Sequence, residues 1–464
     1  MNRFKNLPDR PVTVLIRPPI SRWKLYKWYS AFGSHEPTLG LLYIASYLQL
    51  NGYEVHILDG ELLDRQELDG ALKSIKPDII GITTTTFSFF SAAFLATQLR
   101  YQLPDCLILL GGSHASALPV DSLIKISCLD GIIVGEGEET ILEIVKKRDT
   151  EQIEGLVWKE NPESQIITNK PREPVTNLDK YKLNWNLLNG FPKRYSPPFQ
   201  SKRKNSASLV VSRGCFYDCS FCSGALLWGK KIRYHSPEYV VNLMAELKLS
   251  YSITDFYFHD DYFPAHPLWI KRFCNLLIEQ KRCFSWSCAS RVEVLNDEIL
   301  NLMKKSGCRQ IGIGVESASQ SILDKVSKGI SIPTLRDGLN RISLANIDIK
   351  GFFILDAPGE SISDLYKTLK LILASKFSDI QLNYYAPLPG SSDYYVYNPS
   401  DKLWDRMSLQ HCLGYAKISP VLYPLIEVSF YIVSYLKIFI GRVIKKFFNF
   451  HWKRSSEINM ISQT

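Results

Sequence analysis

Short apolar runs, rich in β-branched residues, alternate with helical stretches through the first 150 residues. Residues 12–17 (VTVLIR), 54–60 (EVHILDG), 78–86 (DIIGITTTT), 107–114 (LILLGGSH) and 131–139 (GIIVGEGEE) predict five strands. These runs do not alternate polar with apolar residues, as strands covered on both faces need not. Between them, Pro37-Thr38-Leu39-Gly40 opens a helix that Gly52 stops, Lys76-Pro77 closes a second, and FSAAFLATQLRYQL (90–103) is a third. The pattern predicts an α/β domain over 1–150, a doubly wound parallel sheet whose ligands sit beyond the carboxyl ends of its strands. Small and hydroxyl-bearing residues gather at those ends: Thr83 to Thr86 with Thr84 among them, Gly111-Gly112-Ser113-His114, and Gly135-Glu136-Gly137-Glu138.

From 206 to 395 the pattern changes to repeated pairs of strand and helix. ASLVVSRG, DFYFHDDYF (255–263), FSWSCASRVEVL (284–295), CRQIGIGVESAS (308–319), IKGFFILDAPGES (349–361) and IQLNYYAPLPGS (380–391) are strands ending in polar residues. PLWIKRFCNLLIEQ and NDEILNLMKKSG are among the helices between them. This predicts a partial β/α barrel with its working residues at the strand carboxyl ends. Residues 151–205 form a connecting segment, a hairpin around Asn161-Pro162 followed by a Pro- and Lys-rich loop. Residues 396–464 are a basic amphipathic tail.

Composition narrows the function classes. With 45% hydrophobic and 22% charged residues over 464 positions, the chain reads as folded and multidomain. A net charge of +9 from 55 basic and 46 acidic residues is too modest to indicate nucleic acid. No export signal is visible at the N-terminus, so the ten cysteines are expected reduced, in the cytoplasm, and suited to metal or redox chemistry. A dinucleotide site is excluded at Gly135–Gly137: it follows the last strand, lacks a third glycine and carries two carboxylates that repel a pyrophosphate.

The chemistry is concentrated in residues 207–222, ASLVVSRGCFYDCSFC. A strand ends at Ser212-Arg213-Gly214 and delivers Cys215, Cys219 and Cys222 as CxxxCxxC. Three such thiolates can each ligate one iron of a cubane cluster and leave the fourth iron open. Zinc is the alternative, but its usual separated CxxC pairs or short-spaced histidines are absent, because Cys274, Cys283, Cys288 and Cys308 form no CxxC.

The whole context, SRGCFYDCSFCSGALLWGKKIRYHSPEYVV with the strands after it, resembles the radical S-adenosylmethionine superfamily. PTLGLLYIASYL, IIGITTTT, GGSHASALP and GIIVGEGEET resemble the cobalamin-binding domain that precedes the radical core in one subclass. The resemblance implies a [4Fe-4S] cluster on Cys215, Cys219 and Cys222, its open iron chelating S-adenosylmethionine and its electron giving a 5′-deoxyadenosyl radical. It implies cobalamin over Thr84, Gly111, Gly112, Ser113, Gly135 and Gly137, with no histidine below cobalt, because DxHxxG does not follow Asp59-Gly60. Glu316 in GVES is the candidate for the ribose hydroxyls, Arg291 for the methionine carboxylate and Asp260 for the sulfonium region or substrate. Two positions depart from the family pattern: Phe216 stands where proline is frequent, and Ser223-Gly224-Ala225 replaces a glycine- and glutamate-bearing stretch. The implied activity is methylation of an unactivated carbon; radical cyclisation, rearrangement or oxidation is the alternative, and an iron–sulfur scaffold without turnover the rival outside enzymes. Methylthiolation is disfavoured, since the N-terminal region has only Cys106 and Cys128 for a second cluster. Expected partners are a small-molecule or lipid-like substrate and an electron donor such as flavodoxin or ferredoxin.

The tail adds a further expectation. From 415 onward seven Lys/Arg face two Asp/Glu, and ten aromatic residues fall in the same stretch. Glu427, Ser434, Lys437, Gly441, Lys445 and Asn449 recur at helical spacing as a narrow polar stripe. Residues 418–452 are therefore expected either on a membrane surface or packed over the open side of the barrel.

Overall fold

The structure is a computed structural model and describes residues 3–21, 35–147, 149–195, 205–263, 266–400, 404 and 414–440. Two compact units divide it. One runs to Ser290 and takes in Lys305–Cys308 and the segment from Ala386; the other is built from Arg291–Lys304, Arg309–Tyr385 and the described tail.

In the first unit the five expected strands form: β1 (Thr13–Arg17), β2 (Val55–Asp59), β3 (Ile79–Thr83), β4 (Leu107–Gly111) and β5 (Gly131–Ile133), all parallel, in the order β2-β1-β3-β4-β5. β4 is buried at Leu107 through Leu110, which is why its sequence does not alternate. Gly81 lets β1 and β3 close up, since a Cβ there would lie 2.8 Å from Leu15 Cδ2. Arg100 stitches the far end, bonding Asp130 at 2.6 Å and the carbonyls of Cys106 and Cys128.

The expected hairpin is present and does more than connect. β6 (Leu156–Trp158) and β7 (Ile167–Thr168) pair antiparallel, and β6 adds antiparallel to β5, so the sheet grows to seven strands. A later part of the connecting segment also packs: Leu178 and Tyr181 are buried with Tyr43, with Val210 packed against them, while residues 196–204 lie outside the described residues. The Tyr43 hydroxyl lies 2.9 Å from His235 Nε2, and burial lowers that imidazole to about 4.

The β/α repeats then begin. β8 (Ser206–Leu209), β11 (Asp255–Phe258) and β12 (Ser285–Ser290) pair in parallel within the first unit. Their core is aromatic, with Trp286 packed against Phe258, Phe263 and Phe273. In the second unit β13 (Cys308–Glu316), β14 (Asp348–Leu355) and β15 (Phe377–Tyr384) are likewise parallel. The helix Ile332–Leu344 packs on Val292 through Gly338, where a Cβ would come within 2.3 Å of Val292 Cβ.

Candidate active site

The cysteine loop is closed at its base by a two-stranded pair, β9 (Ser212–Arg213) with β10 (Arg233–Tyr234). Gly214 has φ +109, and a Cβ there would strike the Lys231 carbonyl oxygen at 2.6 Å, so the tight crossing requires glycine. The Cys215 amide donates to Gly229 O, the Cys222 amide to Cys219 O, and the Gly224 amide to Cys222 Sγ at 3.4 Å. At its far side Ser220 Oγ donates to Asp393 Oδ2 at 2.8 Å, which ties the loop to the helix Ser392–Tyr397.

Beneath this loop lies a buried ion-pair cluster. Arg213 donates to Glu136 at 2.9 Å and Glu138 at 2.6 Å, and Arg233 reaches the other oxygen of Glu136 at 2.5 Å. The Arg213 guanidinium stands 4.8 Å from the Tyr43 ring centre and 5.0 Å from that of Trp228. Burial alone would lower the Arg213 pKa; Glu138 and Glu136 outweigh it and hold the group above its ordinary value. The cysteine loop and the turn after β5 are thus joined by paired charges that are almost wholly buried.

Asp260 turns back toward the strand, accepting from the Val211 amide and from Ser212 Oγ, both at 2.7 Å. Burial raises its carboxyl to about 7 despite those bonds. Asp261 points the other way: its Oδ2 is 3.5 Å from the Cβ position of Gly224, and it acts electrostatically on Cys222. Of the two adjacent acids, Asp260 braces the loop and Asp261 faces the thiols.

Cys215, Cys219 and Cys222 fit an iron–sulfur cluster by their chemistry. They share one pinned loop, and they are partly or fully exposed, whereas Cys106, Cys274, Cys288 and Cys308 are buried. No three His, Cys, Asp or Glu side chains among the described residues are already drawn into a metal cage. Desolvation raises the Cys222 thiol most, and Asp261, Cys219 and Cys215 add to it, so the three sulfurs are near enough to interact. Among the other cysteines, Cys274 and Cys308 are buried core residues, whereas Cys283 is exposed just before β12.

The carboxyl ends of β3, β4 and β5 also fit a bulky ligand. Gly135 has φ +77 with nothing within 4 Å of an added Cβ, an open cradle at the β5 end. Gly112 (φ +93) serves the neighbouring crossing, since a Cβ there would lie 2.4 Å from Thr84 O. Gly111 begins the same turn, Ser113 starts the short helix Ser113–Ala117, and the Thr84 hydroxyl is buried against Ser88. Gly137 has a packing role: its Cβ position is 2.9 Å from Ile44 Cδ1. Near that short helix, the Cβ position of Gly390 is 2.5 Å from Leu226 and 3.4 Å from Ala117, so the stretch after the cysteines meets the cradle's rim.

In the second unit, Arg291 and Glu316 are brought together through Lys328. Lys328 Nζ bonds Glu316 Oε1 at 2.6 Å, and Arg291 Nη2 donates to Lys328 O at 2.7 Å and to Glu293 at 2.6 Å. Glu316 (φ 60) and Asp356 (φ 61) both stand in the left-handed region just where β13 and β14 end, a sparsely populated conformation that the surrounding contacts must hold. Asp356 and Glu360 were not singled out from sequence. Asp356 accepts from the Gly414 and Ala416 amides at 2.6 and 2.9 Å, while Glu360 accepts from Tyr423 and from the Asp356 amide. The turn sequence Asp356-Ala357-Pro358-Gly359-Glu360 after an apolar strand was the available signal.

Comparisons with known proteins agree with this geometry. Residues 30–145 match the B12 binding domain, and residues 209–372 match the radical SAM superfamily. The uncharacterized methyltransferase PH0819 of Pyrococcus horikoshii is 30% identical over 372 residues, covering 77% of this chain and 78% of that protein. The chain belongs to the radical S-adenosylmethionine superfamily, in the subclass that carries a cobalamin-binding domain ahead of the radical core, and it is an enzyme of that class. Its cofactors are accordingly a [4Fe-4S] cluster, S-adenosylmethionine and cobalamin. The anaerobic magnesium-protoporphyrin IX monomethyl ester cyclase of Rubrivivax gelatinosus is 26% identical over 84% of this chain and 70% of its own length. The radical methyltransferase TsrM of Kitasatospora setae, solved with cobalamin and a [4Fe-4S] cluster bound, shares the fold at TM-score 0.66 and 18% identity, over 82% of this chain and 77% of that one.

Proposed function

We propose that the chain is a cobalamin-dependent methyltransferase acting on an unactivated carbon of a small-molecule or lipid-like substrate. The observation that carries this reading is the sealed junction of Arg213 and Arg233 with Glu136 and Glu138, which fixes the cysteine loop against the strand end beside the open cradle at Gly135. When bound, the cluster supplies one-electron reduction of S-adenosylmethionine, and cobalamin supplies a methyl carrier.

The chain's own residues do the rest. Cys215, Cys219 and Cys222 hold the cluster, and Asp260 keeps their loop in register. The turns at Thr84, Gly111, Gly112 and Ser113 and the cradle at Gly135 hold the corrinoid, with Gly137 fixing the helix behind it. Glu316, oriented by Lys328, serves the ribose hydroxyls, and Arg291 serves the methionine carboxylate, for which its planar fork is suited. A low-potential donor such as flavodoxin or ferredoxin supplies the electron in the cytoplasm, and the basic tail meets an anionic membrane surface at its inner face.

Likeness to the cyclase supports a second reading, radical cyclisation or oxidation without methyl transfer. One assay separates the two. Reconstituted, reduced enzyme with S-adenosylmethionine should yield both 5′-deoxyadenosine and S-adenosylhomocysteine, the second only when cobalamin is supplied. Sustained 5′-deoxyadenosine with no cobalamin-dependent S-adenosylhomocysteine would transfer the assignment to the second reading.

A further inference from the structure

The helix Pro420–Ile440 is built inside out. By length and composition it is apolar enough to cross a membrane, yet only 22% of its most apolar stretch is buried. The residues it does bury are Tyr423, Glu427, Phe430 and Ser434, spaced four, three and four apart along one face. Tyr384 donates to Glu427 at 2.9 Å, Lys437 donates to the Ile372 carbonyl at 3.0 Å, and Tyr435 donates to Asp379 at 3.0 Å. The Leu382 amide of β15, an edge strand, donates to the Tyr431 hydroxyl, so the helix also satisfies a sheet edge. Of the polar stripe, Glu427, Ser434 and Lys437 thus face the protein, while Gly441, Lys445 and Asn449 lie outside the described residues. Outward stand Leu425 (67% exposed), Val428, Ile432 (54%), Leu436 and Phe439 (66%).

We infer that this outward face is a monotopic docking surface for a bilayer with anionic headgroups. A continuous apolar strip on a helix already fixed at four polar points is more than scattered surface hydrophobics. The chain that follows is basic, with Arg442, Lys445, Lys446, Lys453 and Arg454 before the next acid, Glu457. Apolar insertion beside such a cluster is the composition of an interfacial anchor, and the charges select anionic lipid. Spanning is disfavoured by the same geometry: Glu427 and Lys437 would have to leave their partners and enter hydrocarbon. The helix lies in the interface plane, with its inner face on the barrel. The inference deepens the membrane element of the proposed function and is independent of the reaction.

The test uses the full chain. It should float with vesicles of phosphatidylcholine and phosphatidylglycerol, bind pure phosphatidylcholine weakly, and leave cell membranes in alkaline carbonate. The double variant Ile432→Glu/Leu436→Glu changes only exposed positions, and its partition into the anionic vesicles should fall at least about tenfold. Circular dichroism confirms that it folds. Unchanged flotation of that variant would overturn the inference, leaving the basic segment as the sole anchor. Retention through carbonate would also overturn it, in favour of a spanning helix. Absence of flotation, with a dimer that the variant turns into monomer, would reassign the face to a second copy of this chain. Flotation with no S-adenosylhomocysteine formation would leave this surface standing and remove the methyltransferase reading instead.

Discussion

The cysteine loop and the tail are both fastened by buried carboxylates, but the partners differ. Glu136 and Glu138 face the guanidinium groups of Arg213 and Arg233, which stay charged at any physiological pH. Glu360 and Glu427 face the hydroxyls of Tyr423 and Tyr384, neutral donors that offset little of the cost of burying a charge. Burial accordingly raises Glu360 to about 8 and Glu427 to about 7. The difference teaches how each region is meant to behave. The junction under the cluster is a fixed structural element, and the tail is attached by contacts whose strength depends on proton concentration.

The largest expected effect is at the junction. Arg213→Met leaves Glu138 buried without its guanidinium and Glu136 with half its partners, at a cost of about 3–5 kcal/mol. Urea denaturation of the apoprotein measures it. A loss near zero would mean that the junction is no tighter than a surface ion pair, and the contrast with the tail would disappear.

The next effect concerns the cradle proposed for the corrinoid. Gly112→Val places a side chain against the Thr84 backbone at positive φ and should weaken cobalamin binding at least about tenfold, read by equilibrium dialysis. Gly137→Ala displaces Ile44 instead and should chiefly lower stability, read as a fall in Tm with smaller change in cobalamin affinity.

The tail should respond to pH in a direction the linkage fixes. Both acids have folded values above the ordinary 4.5 of glutamate, so the docked tail binds more protons than the released tail between about pH 4.5 and pH 8. Docking is fully supported below that window and weakens as pH rises through it. Amide exchange over residues 420–440, corrected for intrinsic rates, should therefore speed up by about tenfold or more between pH 6 and pH 9. Glu360→Gln/Glu427→Gln should flatten the dependence. The same measurement on residues 136–144, which carry the acids paired with Arg213 and Arg233 and not the Asp260 contacts, should show little change. Equal pH dependence in the two regions would refute the comparison. The smallest expected effect is that of Cys283→Ala, an exposed position, within about 0.5 kcal/mol of wild type and with no loss of iron.

What the sequence made legible follows range of interaction. The parallel sheet and the cysteine loop were legible because their signals are local: β4 is apolar at every position, and the three thiols fall within eight residues of each other. The pairing of β6 with β5 was not, since a hairpin's own residues do not say which sheet it joins. Glu136 and Glu138 were read only as carboxylates that repel phosphate. Their partner Arg213 lies some 75 residues away, and nothing in either segment encodes the meeting. Gly135 and Gly137 looked alike in sequence, yet one opens a cradle and the other packs a helix. In the tail, helical spacing located the stripe of Glu427, Ser434 and Lys437 but could not say which face turns inward. The Tyr384 hydroxyl and the carbonyl of Ile372, in the helix Ile362–Ala374, decide that.

The central claim is that Cys215, Cys219 and Cys222 hold the cluster that cleaves S-adenosylmethionine, and one measurement tests it most directly. Iron per chain and reductant-dependent 5′-deoxyadenosine are quantified together after anaerobic reconstitution of the wild type and of the triple alanine variant. The account predicts about four irons per wild-type chain with 5′-deoxyadenosine formed, and neither in the variant. Iron and 5′-deoxyadenosine persisting in the variant, or zinc in place of iron in the wild type, would contradict it.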